Sequence, residues 1–251
     1  MPVNLTNRDI LFRTFQIMKF NKKNLVPAVT MTINVNASQI LKLKDHLNNE
    51  NNNTPHITLT HVIVKAIADT LMKYPILYSF FDGKKIVEND ELIFSIPVDV
   101  ESHVEYIVIR NPELKSIEEI SEEFHKELNS IHSGNGAFMR FLLYFDKMPA
   151  FRKLLDYRGM DGKIRFLKEH YGIFSISNFG SFHINGGTLP VVQPVIAALC
   201  IGSIVTGKDC PYLPLTLTFD HRPIDGAYAG KFLYDVKTIL EQPDLITSDR
   251  R

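Results

Sequence analysis

Leu213-Thr-Leu-Thr-Phe-Asp-His221-Arg-Pro-Ile-Asp225-Gly226-Ala-Tyr-Ala-Gly230 is the stretch that decides how this chain folds. Its first half alternates apolar and threonine residues, which predicts a half-buried β-strand. Pro223 and Gly226 break that pattern just after His221, and apolar residues then return at helical spacing. The sequence therefore predicts a histidine at the end of a strand, over a turn, with Asp225 at the start of the next helix. Loops on a rigid scaffold often carry catalytic or binding residues in this way.

The composition is that of an ordinary globular protein. The 251 residues are 45% hydrophobic and 22% charged, which is close to the average for globular domains. Lys+Arg and Asp+Glu both number 28, so the broad basic surface of a nucleic-acid-binding protein is not expected. The N-terminus has no apolar signal core, and no apolar run approaches the ~20 residues of a membrane span. We expect a single domain over residues 1–251, located in the cytoplasm, with neither nucleic acid nor membrane as a partner.

The cysteine and histidine patterns argue against disulfides and metals. Cys200 and Cys210 are too few for a disulfide framework. No group of cysteine and histidine residues has the spacing of metal ligands. We therefore expect no metal cofactor.

Strand and helix patterns alternate through the first half of the chain. Alternation and β-branched residues predict a strand over Val26–Val35, and Val62–Met72 is apolar on nearly every side, which predicts a buried helix. Asp82-Gly83 is a strong hairpin signal between short strands predicted at Ile76–Phe81 and Lys84–Val87.

The helix boundaries are less evenly marked. Ser116-Ile-Glu-Glu is a capping-box pattern that opens a helix reaching about Ile131. Residues 1–24, by contrast, are only weakly helical and lack good caps. The Phe138–Phe145 and Met148–Leu155 segments predict one or two helices with a broad apolar face. This face is either extra core or oligomer contact, or else a remodelled substrate entrance.

A family resemblance is carried by Asp220-His221-Arg222-Pro223-Ile224-Asp225-Gly226. It resembles the Asp-His-Arg-x-x-Asp-Gly signature of the catalytic domain of dihydrolipoamide acyltransferases, the core components of 2-oxoacid dehydrogenase complexes. The resemblance extends over nearly the whole chain, and residues 133–170 are a divergent insertion that departs from it. Four further segments are similar to the same family: Val64–Leu77, Asp82–Glu88, Tyr171–Gly180 and Pro194–Gly202.

The resemblance implies a fold and an assembly. The expected fold is α/β of the chloramphenicol acetyltransferase type, with a mixed sheet flanked by helices. The family's active sites lie between the subunits of a homotrimer, so His221 of one subunit would face Ser177 of its neighbour. The expected reaction moves an acyl group between CoA and a thiol acceptor such as dihydrolipoamide.

The same resemblance assigns roles to individual residues. A thiol reacts as its thiolate, and a neutral histidine can take the thiol proton near neutral pH. His221 matches the family's general base, and Ser177 matches the hydroxyl that stabilises the tetrahedral oxyanion. Asp225 matches a mainly structural acid that pairs with an arginine of the N-terminal segment, and Arg13 is preferred to Arg8 as that partner.

Two residues near Ser177 are candidates for substrate contact. Asn178 follows it directly, and His183 lies a few residues further on. Both could line the same site, although His183 also fits an ordinary loop position.

The departures from the family lead to further expectations. Members that join large complexes carry lipoyl and peripheral subunit-binding domains, and their cores dock through an apolar C-terminal tail. This sequence shows neither domain, and Glu241–Arg251 is polar. We expect a homotrimer that does not form a cage, with CoA as a substrate and with any lipoyl group supplied in trans by another protein.

Two alternatives stay open. An antibiotic-type O- or N-acetyltransferase shares His-x-x-x-Asp-Gly, but Asp220 stands where that family usually has a second histidine, and Phe174–Asn178 also disfavours it. A non-catalytic trimeric scaffold would have no physical need of His221, Ser177 and Asp225 together, so an enzyme is favoured.

Overall fold

The computed structural model of the chain describes residues 6–20, 25–50, 55–100, 103–146 and 159–247. The main elements are α1 (Asn7–Lys19), β1 (Ala28–Asn36), α2 (Ser38–Glu50), α3 (Leu59–Leu71), β2 (Phe80–Phe81), β3 (Ile86–Val87), β4 (Ile93–Val100), β5 (His103–Arg110), α4 (Ile117–His132), α5 (Ala137–Asp146), α6 (Gly159–Phe166), β6 (Phe174–Asn178), β7 (Ala197–Ile201), β8 (Val205–Thr206), β9 (Pro211–Asp220), α7 (Gly226–Glu241) and α8 (Asp244–Thr247). Short 3₁₀ turns cover Pro75–Tyr78, Pro112–Leu114 and Phe179–Phe182, and Leu167–Tyr171 forms a π-helical turn.

A seven-stranded mixed sheet lies at the centre of the fold. Its strand order is β1-β9-β7-β6-β4-β5, and β8 pairs with β9 beside this path. The β4–β6 and β6–β7 pairs are parallel, and the other pairs are antiparallel. Strand β9 pairs with β1 along its length, from Ala28 opposite Asp220 to Asn36 opposite Tyr212. The α/β class predicted from the sequence is confirmed.

The two faces of the sheet differ in chemistry. Ile176, Leu199 and Leu217 lie side by side on β6, β7 and β9, and all three belong to the main hydrophobic core. That core includes the buried side chains of α3 and α7. The next row along the same strands is Ser177, Cys200 and Thr216, whose side chains point to the opposite face. The sheet thus has an apolar face toward the helices, and this row places small and polar side chains on its other face.

A second hydrophobic cluster covers the β5 edge of the sheet. It joins Leu11 of α1 to Tyr106 of β5, to Phe138 and Leu142 of α5, and to Tyr171. The rings of Tyr106 and Phe138 meet edge to face with their centroids 4.7 Å apart. The described part of the 133–170 insertion therefore forms extra core. The Met148–Leu155 segment lies outside the described residues.

Capping boxes mark the starts of α1, α3 and α4. Ser116 and Glu119 form the predicted box at α4. The expectation that residues 1–24 lack good caps is wrong, because Thr6 and Asp9 form a reciprocal box at α1. The hydrogen bonds from Thr6 also lower the pKa of Asp9. The box was overlooked because Asp stands where Glu or Gln is usual.

The segment before the hairpin departs from the predicted strand. Pro75–Tyr78 is a 3₁₀ turn, and only Phe80–Phe81 is extended. Proline fixes φ near the helical value and suits the first residue of a helical turn. The hairpin itself is confirmed, with Phe81 opposite Ile86 and with Gly83 at a φ of +97°. No helix among the described residues is both long and apolar enough to cross a membrane.

Candidate active site

His221 is presented on a turn at the end of β9. The strand ends at Asp220, and the exposed His221 begins the turn that follows. The Asp220 backbone N–H donates to the Ile196 carbonyl at 2.8 Å, and the His221 N–H donates to the Pro27 carbonyl at 3.1 Å. The backbone that carries the imidazole is therefore attached to its neighbours on both sides.

Asp220 and Arg222, the residues on either side of His221, form an ion pair. The Arg222 guanidinium donates from Nε to Oδ1 of Asp220 at 2.9 Å and from Nη2 to Oδ2 at 2.6 Å. The Arg222 backbone N–H also donates to Oδ1 at 3.0 Å. Asp220 is fully buried, and its hydrogen bonds raise the pKa of Arg222. The carboxylate therefore keeps a matched partner inside the protein.

Asp225 begins the helix after the turn. Its Oδ1 accepts a hydrogen bond from the backbone N–H of Tyr228 at 2.8 Å, which is an N-cap contact for α7. Arg13, its predicted partner, lies on α1, which packs on β5 at the other edge of the sheet. Helix α7 packs on β1 and β9. The structure therefore does not bring Asp225 and Arg13, or the alternative Arg8 on α1, together within one chain. A pair between two copies stays a prediction.

Ser177 lies near the end of β6 and is 8% exposed. Cys200 stands directly opposite it on β7 and is fully buried, and burial raises the pKa of the Cys200 thiol. The loop after β6 passes over this row. A side chain at Gly187 would come within 2.3 Å of the Phe179 ring, and one at Gly186 would stand 3.8 Å from the Thr216 hydroxyl. Ser177 is thus largely buried, in a row of side chains that the loop approaches closely at Thr216.

The two other candidates near Ser177 have different surroundings. The side-chain amide of Asn178 donates to the Thr60 hydroxyl at 2.9 Å, which ties the end of β6 to the start of α3. His183 is exposed in the left-handed region, with φ at 59°. The contact with Thr60 gives Asn178 an anchoring role, and substrate contact by either residue stays a prediction.

His61 follows Thr60 at the start of α3, and its ring packs against Phe124 and His125 of α4. It is 1% exposed, and its Nδ1 accepts the backbone N–H of Thr58 at 3.2 Å. Its Nε2 is buried and has no hydrogen-bond partner among the described residues. Desolvation by burial, and then the neighbouring His125 and His56, lower the pKa of His61 to about 4. It is both a packed and a capping histidine.

Ser177 and His221 lie far apart within one chain. Ser177 is in register with Cys200 and, through it, with Thr216. From Thr216 the chain runs five residues along β9 and the following turn to His221, which is about 17 Å, and the strands add about 10 Å sideways. The separation is therefore about 20 Å. One chain does not place both groups on the same small substrate.

Three contributing residues were missed in the sequence. Asp220 and Arg222 were recognised only as parts of a motif, although opposite charges on both sides of a histidine at a strand end indicate an ion pair across it. Thr60 carried no comparable signal, since its contact with Asn178 joins residues far apart in the chain. Within the described ranges, no three His, Cys, Asp or Glu side chains are arranged to hold a metal ion.

Comparison with known proteins identifies one family over most of the chain. The family described as 2-oxoacid dehydrogenases acyltransferase (catalytic domain) matches residues 12–137 and 150–248. The dihydrolipoyllysine-residue acetyltransferase component of the acetoin cleaving system of Bacillus subtilis is 25% identical over 225 residues, which cover 86% of this chain and 50% of that protein. The chain spans about half the length of this and other curated relatives.

Solved structures share the fold. The dihydrolipoamide acetyltransferase of Azotobacter vinelandii aligns with a TM-score of 0.74 and 20% identity over 98% of this chain and 93% of that one. Its structure was determined to investigate one serine, one histidine and one asparagine in its catalytic mechanism. A chloramphenicol acetyltransferase aligns with a TM-score of 0.54 and 14% identity, over 96% of this chain and 98% of that one. The predicted chloramphenicol acetyltransferase-like fold is confirmed.

Proposed function

The chain belongs to the 2-oxoacid dehydrogenase acyltransferase family through its catalytic domain, and from this premise we propose that it moves an acyl group between CoA and the thiol of a dihydrolipoyl group. The observation that carries the proposal is the exposed His221 on a turn fixed by backbone contacts and by the Asp220–Arg222 pair. A general base must lie within hydrogen-bonding reach of the incoming thiol, and its side chain must keep a fixed orientation during proton transfer.

The proposed reaction uses His221 and Ser177 in turn. The imidazole of His221 takes the proton of the attacking thiol, and the thiolate sulfur bonds to the carbonyl carbon of the acyl thioester. The hydroxyl of Ser177 donates a hydrogen bond to the oxyanion that forms, and its burial strengthens that interaction. When the oxyanion collapses, the original carbon–sulfur bond breaks. The departing thiolate then takes the proton from His221, which leaves the enzyme unchanged.

The position of these two groups supports an active site shared between subunits, as in the proposed homotrimer. They are about 20 Å apart in one chain, whereas a tetrahedral intermediate needs both within hydrogen-bonding reach. We therefore place each active site between two subunits, with His221 from one and Ser177 from the next. A salt bridge between Asp225 and Arg13 of different subunits belongs to the same proposal.

The proposed acceptor is a dihydrolipoyl group carried by a lipoyl domain. The relatives are dihydrolipoyllysine-residue acetyltransferase components of the acetoin cleaving system and of pyruvate dehydrogenase complexes. Acetyl is therefore the first acyl group to test, with CoA and dihydrolipoamide as the two thiols.

Turnover of acetyl-CoA with dihydrolipoamide tests the activity. We expect thiol release from CoA by the wild type and its near-complete loss in His221→Ala. His46→Ala, at an exposed histidine of α2, serves as the matched control and should retain full activity. Turnover only with chloramphenicol as acceptor would move the assignment to an antibiotic-type acetyltransferase. No transfer with any acceptor would leave a non-catalytic scaffold as the better account.

Complementation between variants tests the shared site. His221→Ala and Ser177→Ala are each expected to be inactive alone. When they are co-expressed and assembled together, some sites combine an intact His221 with an intact Ser177 from a neighbour. Activity should return in the mixture and not when the purified variants are mixed without exchange of subunits. A mixture that stays inactive although mixed oligomers form would contradict the shared site.

A further inference from the structure

The ion pair between Asp220 and Arg222 has no assigned part in the chemistry. Asp220 is the last residue of β9, and its side chain is 1% exposed. A carboxylate buried to this degree is costly unless it is paired and hydrogen-bonded. The position of this buried carboxylate next to the proposed base therefore calls for an explanation.

The pair forms a clamp around the residue between its members. Three side-chain hydrogen bonds and one backbone hydrogen bond join Arg222 to Asp220, at distances from 2.6 to 3.1 Å. His221 is the only residue between them in the chain. Because the clamp connects the backbone before His221 to the backbone after it, the direction in which the imidazole leaves the turn is restricted.

The clamp is itself supported by the β2–β3 hairpin. The Arg222 guanidinium lies over the Phe81 ring, 5.0 Å from its centre. Nη2 of Arg222 is 3.4 Å from Oε1 of Gln193, and the Gln193 amide donates to the Asp82 carbonyl at 2.6 Å. A planar guanidinium can use its fork and its face at the same time, and a lysine ammonium cannot.

A different role for Arg222 would be to bind an anionic part of the substrate. The side chain is 33% exposed, so a phosphate could approach it. Its Nε and Nη2 are already directed at the Asp220 carboxylate, and that buried anion offsets its charge. The geometry favours an inward role over recognition of an anion.

We propose that Arg222 is a positioning residue, which holds His221 toward the incoming thiol through its clamp on Asp220 and its seat on Phe81. This inference rests on the proposed function, in which His221 is the general base. Arg222 touches neither substrate nor the reacting atoms in this role. Its effect is on the rate of the chemical step and not on the binding of acyl-CoA.

Arg222→Lys is the first test, because it keeps the charge and removes the fork. We expect kcat to fall by about 10²-fold, since a displacement near 1 Å is enough for such a loss. KM for acetyl-CoA should stay within about twofold, because uniform binding is unchanged. Phe81→Leu, which keeps the ion pair and removes the aromatic seat, should lower kcat by a smaller factor.

A matched control and a charge-neutral variant separate positioning from folding. Arg110→Lys disturbs another Arg–carboxylate pair, with Glu91, at the end of β5 on the opposite edge of the sheet, and should keep wild-type kinetics. Asp220→Asn/Arg222→Gln removes both charges together and leaves no unpaired buried ion. If Arg222→Lys fails to fold, this double variant still shows how the loss of the guanidinium hydrogen bonds to Asp220 affects the rate. Rates are compared per folded oligomer, with thermal unfolding as the check.

The outcomes are distinct. A lower kcat with unchanged KM supports the clamp. A raised KM for acetyl-CoA with unchanged kcat overturns it in favour of anion binding, and unchanged kinetics overturn it outright. If wild type is active and His221→Ala is inactive while the Arg222 variants are fully active, only this inference fails. If wild type transfers no acyl group, the proposed function and this inference fail together.

Discussion

His221 and Ser177 stand at opposite ends of one sheet, the first exposed on a turn and the second buried beneath a loop. The His221 end is held by charge, through the Asp220–Arg222 pair. The Ser177 end is held by a neutral contact, from the side-chain amide of Asn178 to the Thr60 hydroxyl. The difference suits the proposed roles. A base must meet a thiol arriving from solvent, whereas a hydroxyl that stabilises an oxyanion acts best where water is excluded.

The two ends also differ in what would disturb them. The exposed end depends on backbone contacts and on an ion pair between the two residues that flank His221, so it should change with substitutions at the turn. The start of α3, whose Thr60 contacts Asn178, carries the buried His61 with a pKa of about 4, so this helix start should weaken as the pH falls. Four predictions test this contrast, in order of decreasing effect.

Removal of the imidazole should have the largest effect. His221→Ala is expected to lower kcat by about 10²–10⁴-fold, the range for loss of a general base. Stability should hardly change, because the side chain is exposed. Steady-state kinetics and thermal unfolding measured together check this. A large fall in the unfolding temperature would show that His221 supports the turn instead of serving the reaction.

Removal of the Ser177 hydroxyl should have the next largest effect. Ser177→Ala is expected to lower kcat by about 10²–10³-fold, as for loss of one oxyanion donor. Ser175→Ala is the matched control, because Ser175 lies on the same strand and face and donates to the Ser95 carbonyl at 3.3 Å. Equal losses in both variants would point to packing and not to the oxyanion.

Acid should destabilise the fold through His61, which is buried at the start of α3. Its pKa is 6.5 in the unfolded chain and about 4 in the folded protein, so the unfolded chain binds more protons between these values. The stability due to neutral His61 is complete above pH 6.5 and is lost as the pH falls toward 4. Between pH 7 and pH 5 this amounts to about 2 kcal/mol in the free energy of unfolding.

Urea unfolding at several pH values measures this change in the free energy of unfolding. His61→Gln cannot titrate, so the fall in stability between the two pH values should be smaller than in wild type. His46→Gln, at an exposed position, should behave like wild type. If the free energy of unfolding depends on pH in the same way in the wild type and in His61→Gln, then His61 does not cause the loss of stability in acid.

The helix cap at the His221 end should have the smallest effect. Asp225→Ala is expected to reduce the free energy of unfolding by about 1 kcal/mol, the usual effect of removing an N-cap. Asp225→Asn should change it by only a few tenths of that amount, because asparagine also accepts the Tyr228 N–H. Thermal unfolding distinguishes the two. A large loss in Asp225→Asn would indicate that its charge matters, as in the proposed pair with Arg13 of another subunit.

Local patterns predicted much of the fold and of the His221 end. The strand–turn–helix around His221, the hairpin at Asp82-Gly83 and the buried α3 all follow from patterns within a few residues. The cap at Thr6 and the short 3₁₀ turn that begins at Pro75 were not predicted. In each case a weak local preference was outweighed by a stronger pattern in the surrounding residues. The contact between Asn178 and Thr60 joins residues 118 positions apart, so no short window contains it.

The sequence by itself determined the residue set and the elements that carry it, because strand alternation, helix spacing and turn residues act over short distances. Only the tertiary structure decided the arrangement. The register of β6, β7 and β9 separates Ser177 from His221 by about 20 Å within one chain, and the sheet order places α1 and α7 at opposite edges. Register and strand order depend on how distant segments pack against one another, and that packing is set by the whole core and not by any one stretch.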